Sequence, residues 1–118
     1  MQIEDAVRIR FKQLGVLLAL SLAVAGCAAR GAFREGDAAM RAGNLDAAVA
    51  AYRKAAQAAP DKADYRLALQ RAMLAASRAH LDRAREFEER DQLEAAVGEY
   101  RQASEYDPSN RQAGEKVA

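Results

Sequence analysis

The chain has 118 residues, with 18 basic side chains, 17 acidic ones and a single His. Charges of both signs, interleaved and nearly balanced, disfavour nucleic-acid binding, which draws on clustered Lys and Arg against phosphates. One Cys excludes an intramolecular disulfide and one His excludes zinc motifs that need two, so neither a metal nor a cofactor is expected.

In chain order, Arg8, Arg10 and Lys12 lead into an apolar stretch from Leu14 to Val24, which closes on Val24-Ala25-Gly26-Cys27. A basic lead, a short apolar core and small residues before a cleavage point are the parts of a secretory signal. The uncharged run from Gln13 to Ala29 is shorter than the about 20 residues that span hydrocarbon, and it ends at Arg30. Nothing polar interrupts the stretch to give a buried core helix its wet face. Val-Ala-Gly-Cys resembles the lipobox of bacterial lipoproteins. The resemblance implies that residues 1–26 are a signal helix that is removed, and that Cys27 becomes the lipidated N-terminus. Two or more acyl chains anchor a protein stably to a membrane. Ala28 and Ala29 follow the Cys where an Asp would hold such a protein at the inner membrane. By the same resemblance the anchor is expected in the outer membrane, facing the periplasm.

Residues 27–118 would then form one small domain with 15 basic and 15 acidic side chains. Its composition favours helix, because Ala, Arg, Glu, Gln and Leu lead the propensity scale. No stretch alternates with period two over enough β-branched residues to suggest a strand. Setting residues 32–62 against 80–110 aligns Leu45 with Leu93, Ala47-Ala48-Val49 with Ala95-Ala96-Val97, Tyr52-Arg53 with Tyr100-Arg101, and Pro60 with Pro108. The shift is 48 residues. Each copy reads as two helices. In the first copy, helices over about 29–42 and 46–58 are broken by Gly43-Asn44, with Asn44 or Asp46 as the cap and Pro60 past the end. In the second, Asp91-Gln92 takes the place of Gly43-Asn44.

The series Gly36, Ala48, Tyr52, Ala55, Pro60 recurs as Ala84, Ala96, Tyr100, Ala103, Pro108 at identical intervals. It resembles the tetratricopeptide repeat (TPR), in which small residues let the paired helices approach, an aromatic fills the gap between hairpins and Pro ends the unit. The family's aromatic near the start of the unit is missing, with Ala32 and His80 in its place. The spacing exceeds the family's repeat of about 34 residues by about four helical turns. That excess can be one straight helix returning to the same face. No Gly or Pro occurs from Asp61 to Asp91, and Tyr65, Leu69, Met73, Ala76, His80, Ala84 and Phe87 recur at helical spacing. The reading is a long helix over about 61–90; a turn near Ser77, giving a third hairpin, is its rival. The second hairpin completes over about 93–108, and Ser109-Asn110 caps the start of a further helix in 109–118. So short a helix is either a stub or the front of a longer protein. The expected fold is all-α: TPR-like helical hairpins of an α-solenoid joined by a long helix and preceded by a signal-peptide helix.

No catalytic constellation appears. Ser77, His80 and Asp82 crowd one helix with no strand-turn-helix elbow or oxyanion site, so an enzyme is not expected. Glu86 and Arg90 read as an exposed helix pair. The resemblance implies a protein-binding face on each unit's first helix: Phe33, Asp37, Met40 and Arg41, then Arg85, Glu88 and Glu89, with Arg30, Arg78 and Leu81 beside them. Phe33 and Met40 either contact a partner or pack on the neighbouring helix. The Lys and Asn clamp for a C-terminal carboxylate is absent, and neither a small-molecule substrate nor a nucleic acid is expected.

The lipobox, the repeats and the strings Ala-Met-Leu-Ala-Ala-Ser-Arg-Ala-His-Leu and Glu-Tyr-Arg-Gln-Ala-Ser-Glu-Tyr-Asp-Pro-Ser-Asn together resemble the N-terminal region of secretin-like proteins. Those belong to type II secretion and type IV pilus machinery. The resemblance implies a membrane-anchored interaction scaffold in such an assembly. The alternatives are a stand-alone TPR lipoprotein for envelope or outer-membrane-protein assembly, and an accessory subunit of a periplasmic enzyme. The sequence leaves the partner and the oligomeric state open.

Overall fold

The computed structural model describes residues 2–118, and the side chains of all of these except 18–25. Five helices succeed one another: α1 (Gln2–Arg41), α2 (Leu45–Ala58), α3 (Ala63–Glu89), α4 (Leu93–Tyr106) and α5 (Arg111–Val117). α1 is one helix where the sequence suggested a signal helix followed by a separate helix over 29–42. The residues between have no helix-breaking Pro, and single glycines such as Gly26 and Gly31 cost a helix only about 1 kcal/mol each. Val24-Ala25 and most of the apolar stretch lie outside the described side chains. Ile3, Val7, Phe11, Leu14 and Leu17 are exposed, and Ala29 is the first buried residue along the described part of α1.

The two copies of the repeat turn their chains with the same hydrogen bonds. After α1, Gly43 sits at φ 74, its N–H donates to Met40 O and that of Asn44 donates to Ala39 O. After α3, Asp91 sits at φ 57, its N–H donates to Glu88 O and that of Gln92 donates to Phe87 O. Both are Schellman closures, which need a left-handed residue just past the helix. Gly takes that conformation without penalty and Asp is among the few other residues that tolerate it. Asn44 then caps α2 by accepting from Ala47 N, whereas Gln92 makes no such bond to α4. Of the two caps the sequence offered for α2, Asn44 is the one used. The far ends also match, with Ala59 N donating to Ala55 O and Asp107 N to Ala103 O. Pro60 and Pro108 are exposed beyond those ends, where they lack an N–H to continue the helix.

α3 runs without interruption through Ser77, so there is no third hairpin. At about 1.5 Å per residue it is about 40 Å long, enough to serve two packing units. Its first half sends Ala72 and Ala76 into a core with Ala48, Val49 and Tyr52 of α2. Its second half sends Leu81 and Ala84 into a core with Ala96, Tyr100 and Ala103 of α4 and Ala113 of α5. The expected stripe faces inward, with Ala76, His80 and Ala84 buried and Tyr65, Leu69, Met73 and Phe87 half-buried. The architecture is all-α and consistent with a TPR-like solenoid.

Candidate functional site

Each repeat tyrosine joins its own hairpin. The Tyr52 ring lies on Gly36, and its hydroxyl donates to Asp37 at 2.7 Å. Burial, and then the bond to Asp37, pushes the Tyr52 phenol up to about 12. Tyr100 is 1% exposed and donates to Glu88 at 2.8 Å. Its phenol is raised by burial and by that carboxylate. Lys116 and Tyr100 together hold Glu88 below the ordinary carboxylate range. Gly36, Ala48, Ala55, Ala84, Ala96 and Ala103 are all buried, so the repeat's small positions face the helix packing.

Phe33, on α1, bridges the first hairpin to α3. Its ring stacks on Tyr65 at 4.5 Å and tilts against Tyr52 at 5.3 Å. Phe33, Asp37 and Met40 line one wall of a groove of 360 Å³, and Asp64, Leu67, Ala68 and Arg71 of α3 line the other. Phe33 and Met40 pack on the core and leave part of their surface in the groove. Arg41 is exposed near the end of α1.

The second set of candidate residues is elsewhere. Glu88 lies about 25 Å beyond Arg71 along α3, so one groove does not hold both sets. Arg85 donates to Asp82 and to Gln112 of α5, Glu88 accepts from Tyr100 and Lys116, and Glu89 is exposed. Leu81, placed beside this face from sequence, is 6% exposed and belongs to the core. Arg30 and Arg78 are exposed.

One cluster has no counterpart in the sequence reading. His80 is 5% exposed, with Nδ1 2.6 Å from Glu99 of α4 and Nε2 3.0 Å from Asp46 of α2. Arg83 donates to Glu99 and Tyr106 donates to Asp46. The cluster therefore ties α2, α3 and α4 together where α3 passes from one core to the other. Burial opposes charge on Asp46, yet hydrogen bonds from His80 and Tyr106 prevail and lower it. Glu99 is lowered in the same way by His80 and Arg83 against its burial. Burial, together with Asp46, pushes Tyr106 up to about 12. Asp46 is 34 residues from His80, and no local spacing announces the pair.

Ser77, His80 and Asp82 do not converge, because the Ser77 hydroxyl donates to Ala103 O, His80 faces Asp46 and Glu99, and Asp82 accepts from Arg85. Among the described residues, no group of three or more His, Cys, Asp or Glu could hold a metal ion. Glu86 and Arg90, expected to pair, are both exposed and form no ion pair among the described residues, where Asp82 with Arg85 takes that role. No helix among the described residues is long and apolar enough to cross a membrane.

No curated protein matches the chain. The tetratricopeptide repeat family model matches residues 29–62, the span that holds the end of α1, α2 and Pro60, and these residues are a TPR-like repeat region.

Proposed function

We propose that this chain is a lipid-anchored protein-interaction scaffold of the bacterial envelope, cleaved before Cys27 and held by acyl chains on that residue. On this reading residues 1–26 are the signal and residues 27–118 the interaction domain. The observation that carries it is the adjacency of two features: Val24-Ala25-Gly26-Cys27 ends just before the TPR-like region that begins at residue 29. An anchor so placed leaves the helical cores free of the membrane, and the exposed Cys27 is open to modification. The groove between α1 and α3 is the surface offered to a partner, with Phe33 and Met40 supplying apolar contact. The outer membrane and a secretin-type secretion or pilus assembly are the setting we assign, on Ala28-Ala29 and on the quoted strings.

Mass spectrometry of the membrane fraction tests the anchor. The expected product begins at Cys27 and carries acyl chains, and Cys27→Ser accumulates as unprocessed precursor or appears in the soluble periplasm. An intact Met1 terminus with an unmodified thiol would refute it.

A further inference from the structure

The first half of α3 carries a row of side chains that no other helix covers. Asp64, Leu67, Arg71, Leu74 and Arg78 recur at intervals of three, four, three and four, so they stack in one line about 21 Å long. All five are exposed, with Leu67 at 45% and Leu74 at 44%. The line lies on the opposite side of α3 from Ala72 and Ala76, which pack on α2. α4 lies along the second half of α3, as the bonds Ser77 to Ala103 and Tyr100 to Glu88 show, and it ends at Tyr106. α5 packs back onto α4, so it leaves this row open as well.

Charge along this surface is balanced, and its order is self-complementary. Asp37 and Asp64 line the groove with Arg71, and Arg78 stands two turns further on, so two carboxylates share the surface with two guanidinium groups. Among the described residues Asp64, Arg71 and Arg78 enter no ion pair. Counted from Arg71, Asp64 lies seven residues before and Arg78 seven after, while Leu67 lies four before and Leu74 three after. Turning the row end for end about Arg71 therefore lays carboxylate on guanidinium and leucine on leucine. Its borders carry no charge, with Ala68 and Ala75 on one side and Gln70 on the other. Both flanks are hollow: the groove walled by Phe33 and Met40 lies beside Leu67, and Gln70, Met73, Leu74 and Tyr106 line a pocket of 270 Å³.

We propose that this row pairs with the same row of a second copy of the chain, in an antiparallel two-fold dimer with Arg71 at the axis. Asp64 meets the second copy's Arg78 and Leu67 meets the second copy's Leu74, so each of these contacts occurs twice. Arg71 meets its own equivalent at the axis, with the Asp37 and Asp64 carboxylates of its groove beside it. A partner of one sign would set like charge against part of the row, whereas a second copy answers both signs. The reversed direction also sends the second hairpin of each copy past the Ala63 end of the other's α3, where it does not compete for the row. The contact centres on one helix pair and is small among interfaces, so the expected dissociation constant is micromolar. The inference rests on the protein-binding reading and names the occupant of that surface.

The test is sedimentation equilibrium of the full 118-residue chain, in a mild detergent that covers the exposed apolar residues of α1. The expected result is a monomer–dimer equilibrium. Asp64→Arg and Arg78→Asp each weaken it about tenfold, since either reversal acts at two places, and Leu74→Asp abolishes it. Mixing Asp64→Arg chains with Arg78→Asp chains restores dimerisation, because the mixed dimer regains opposite charges at both ends of the row. All these variants change exposed residues, and thermal melts matching the parent show that they fold. Single reversals that weaken the dimer and a mixture that does not recover it overturn the antiparallel pairing. A dimer that none of the variants disturbs lies on another surface and overturns the row. A chain still monomeric at about 1 mM leaves the row to a different protein and overturns the second copy as its occupant. Processing of Cys27 is judged separately by the mass measurement, so failure of the dimer and failure of the anchored-scaffold reading are told apart.

Discussion

Gly36→Ala sets two effects of opposite sign against each other. Alanine is the better helix former by about 1 kcal/mol, so in an open helix the change would stabilise. Here an added methyl would lie 2.5 Å from Tyr52 Cδ1 and 2.6 Å from Cε1, inside any tolerable contact. Relief requires the ring to retreat, and it is held on several sides: its hydroxyl bonds Asp37, Phe33 packs beside it, and Val49 and Ala72 share its core. Overpacking at such a site costs about 1–3 kcal/mol and more where the neighbour cannot yield, so it outweighs the gain in propensity. The expected outcome is a net loss of about 1–2 kcal/mol, or about 5–15 °C in melting temperature for a domain of this size. The second repeat supplies a control, since Ala84 stands where the first has Gly36 and is itself fully buried. Ala84→Gly should also destabilise, through helix propensity and the loss of a packed methyl. Tyr52→Phe should lessen the Gly36→Ala penalty, because the ring without its hydroxyl is free to slide. Thermal and urea melts of the single and double variants check all of this, and a Gly36→Ala chain as stable as the parent would refute the close packing on which it rests.

Two further perturbations probe the junction between the cores. Ser77→Pro removes a helical N–H in mid-α3 and drives the ring into the preceding turn, at a cost of about 3 kcal/mol or more. Ser77→Ala gives up only the bond to Ala103 O, which still accepts from Asp107 N, and costs about 1 kcal/mol. Far-UV circular dichroism and melts separate these, and a Ser77→Pro chain with parental helicity would refute the continuous helix. Acidification tests the His80 cluster. The folded-state pKa values of Asp46 and Glu99 lie below their ordinary values of 3.8 and 4.5, so the stabilisation is complete above that range and fades as pH falls through it. Melting temperature should therefore drop as pH is lowered from about 6 to 3, and less steeply for Asp46→Asn/Glu99→Gln, whose lost bonds leave less to titrate. Equal slopes in the two chains would count against the cluster as a source of acid sensitivity.

What the sequence disclosed was periodic or local. Two copies of one pattern set the hairpins, their turns and their small buried positions, because each depends on residues within a few turns of one another. The placement of Gly43 and of its counterpart Asp91 was legible for that reason. The His80 cluster was not, since Asp46, His80 and Glu99 come from three helices and meet only after both hairpins have formed. Leu81 misled for a related reason. The resemblance placed it beside the protein-binding face, but α4 and α5 close over it.

The long spacing explains both the cluster and the open row. Adding about four turns to a helix restores the angular face while displacing the next helix by about 20 Å along the axis. The inward stripe of α3 therefore continues unbroken from the first core to the second, and α4 finds the same kind of surface it would have met in a shorter repeat. Its displacement leaves the first half of α3 without a helix on that side. At the step between the two cores polar groups of α2 and α4 converge on α3, and His80 lies between Asp46 and Glu99. A conventional array would have covered Leu67 and Leu74 with its own next helix. In this chain they stay exposed beside Arg71 and Arg78, so the long spacing leaves open a surface that a shorter repeat would bury.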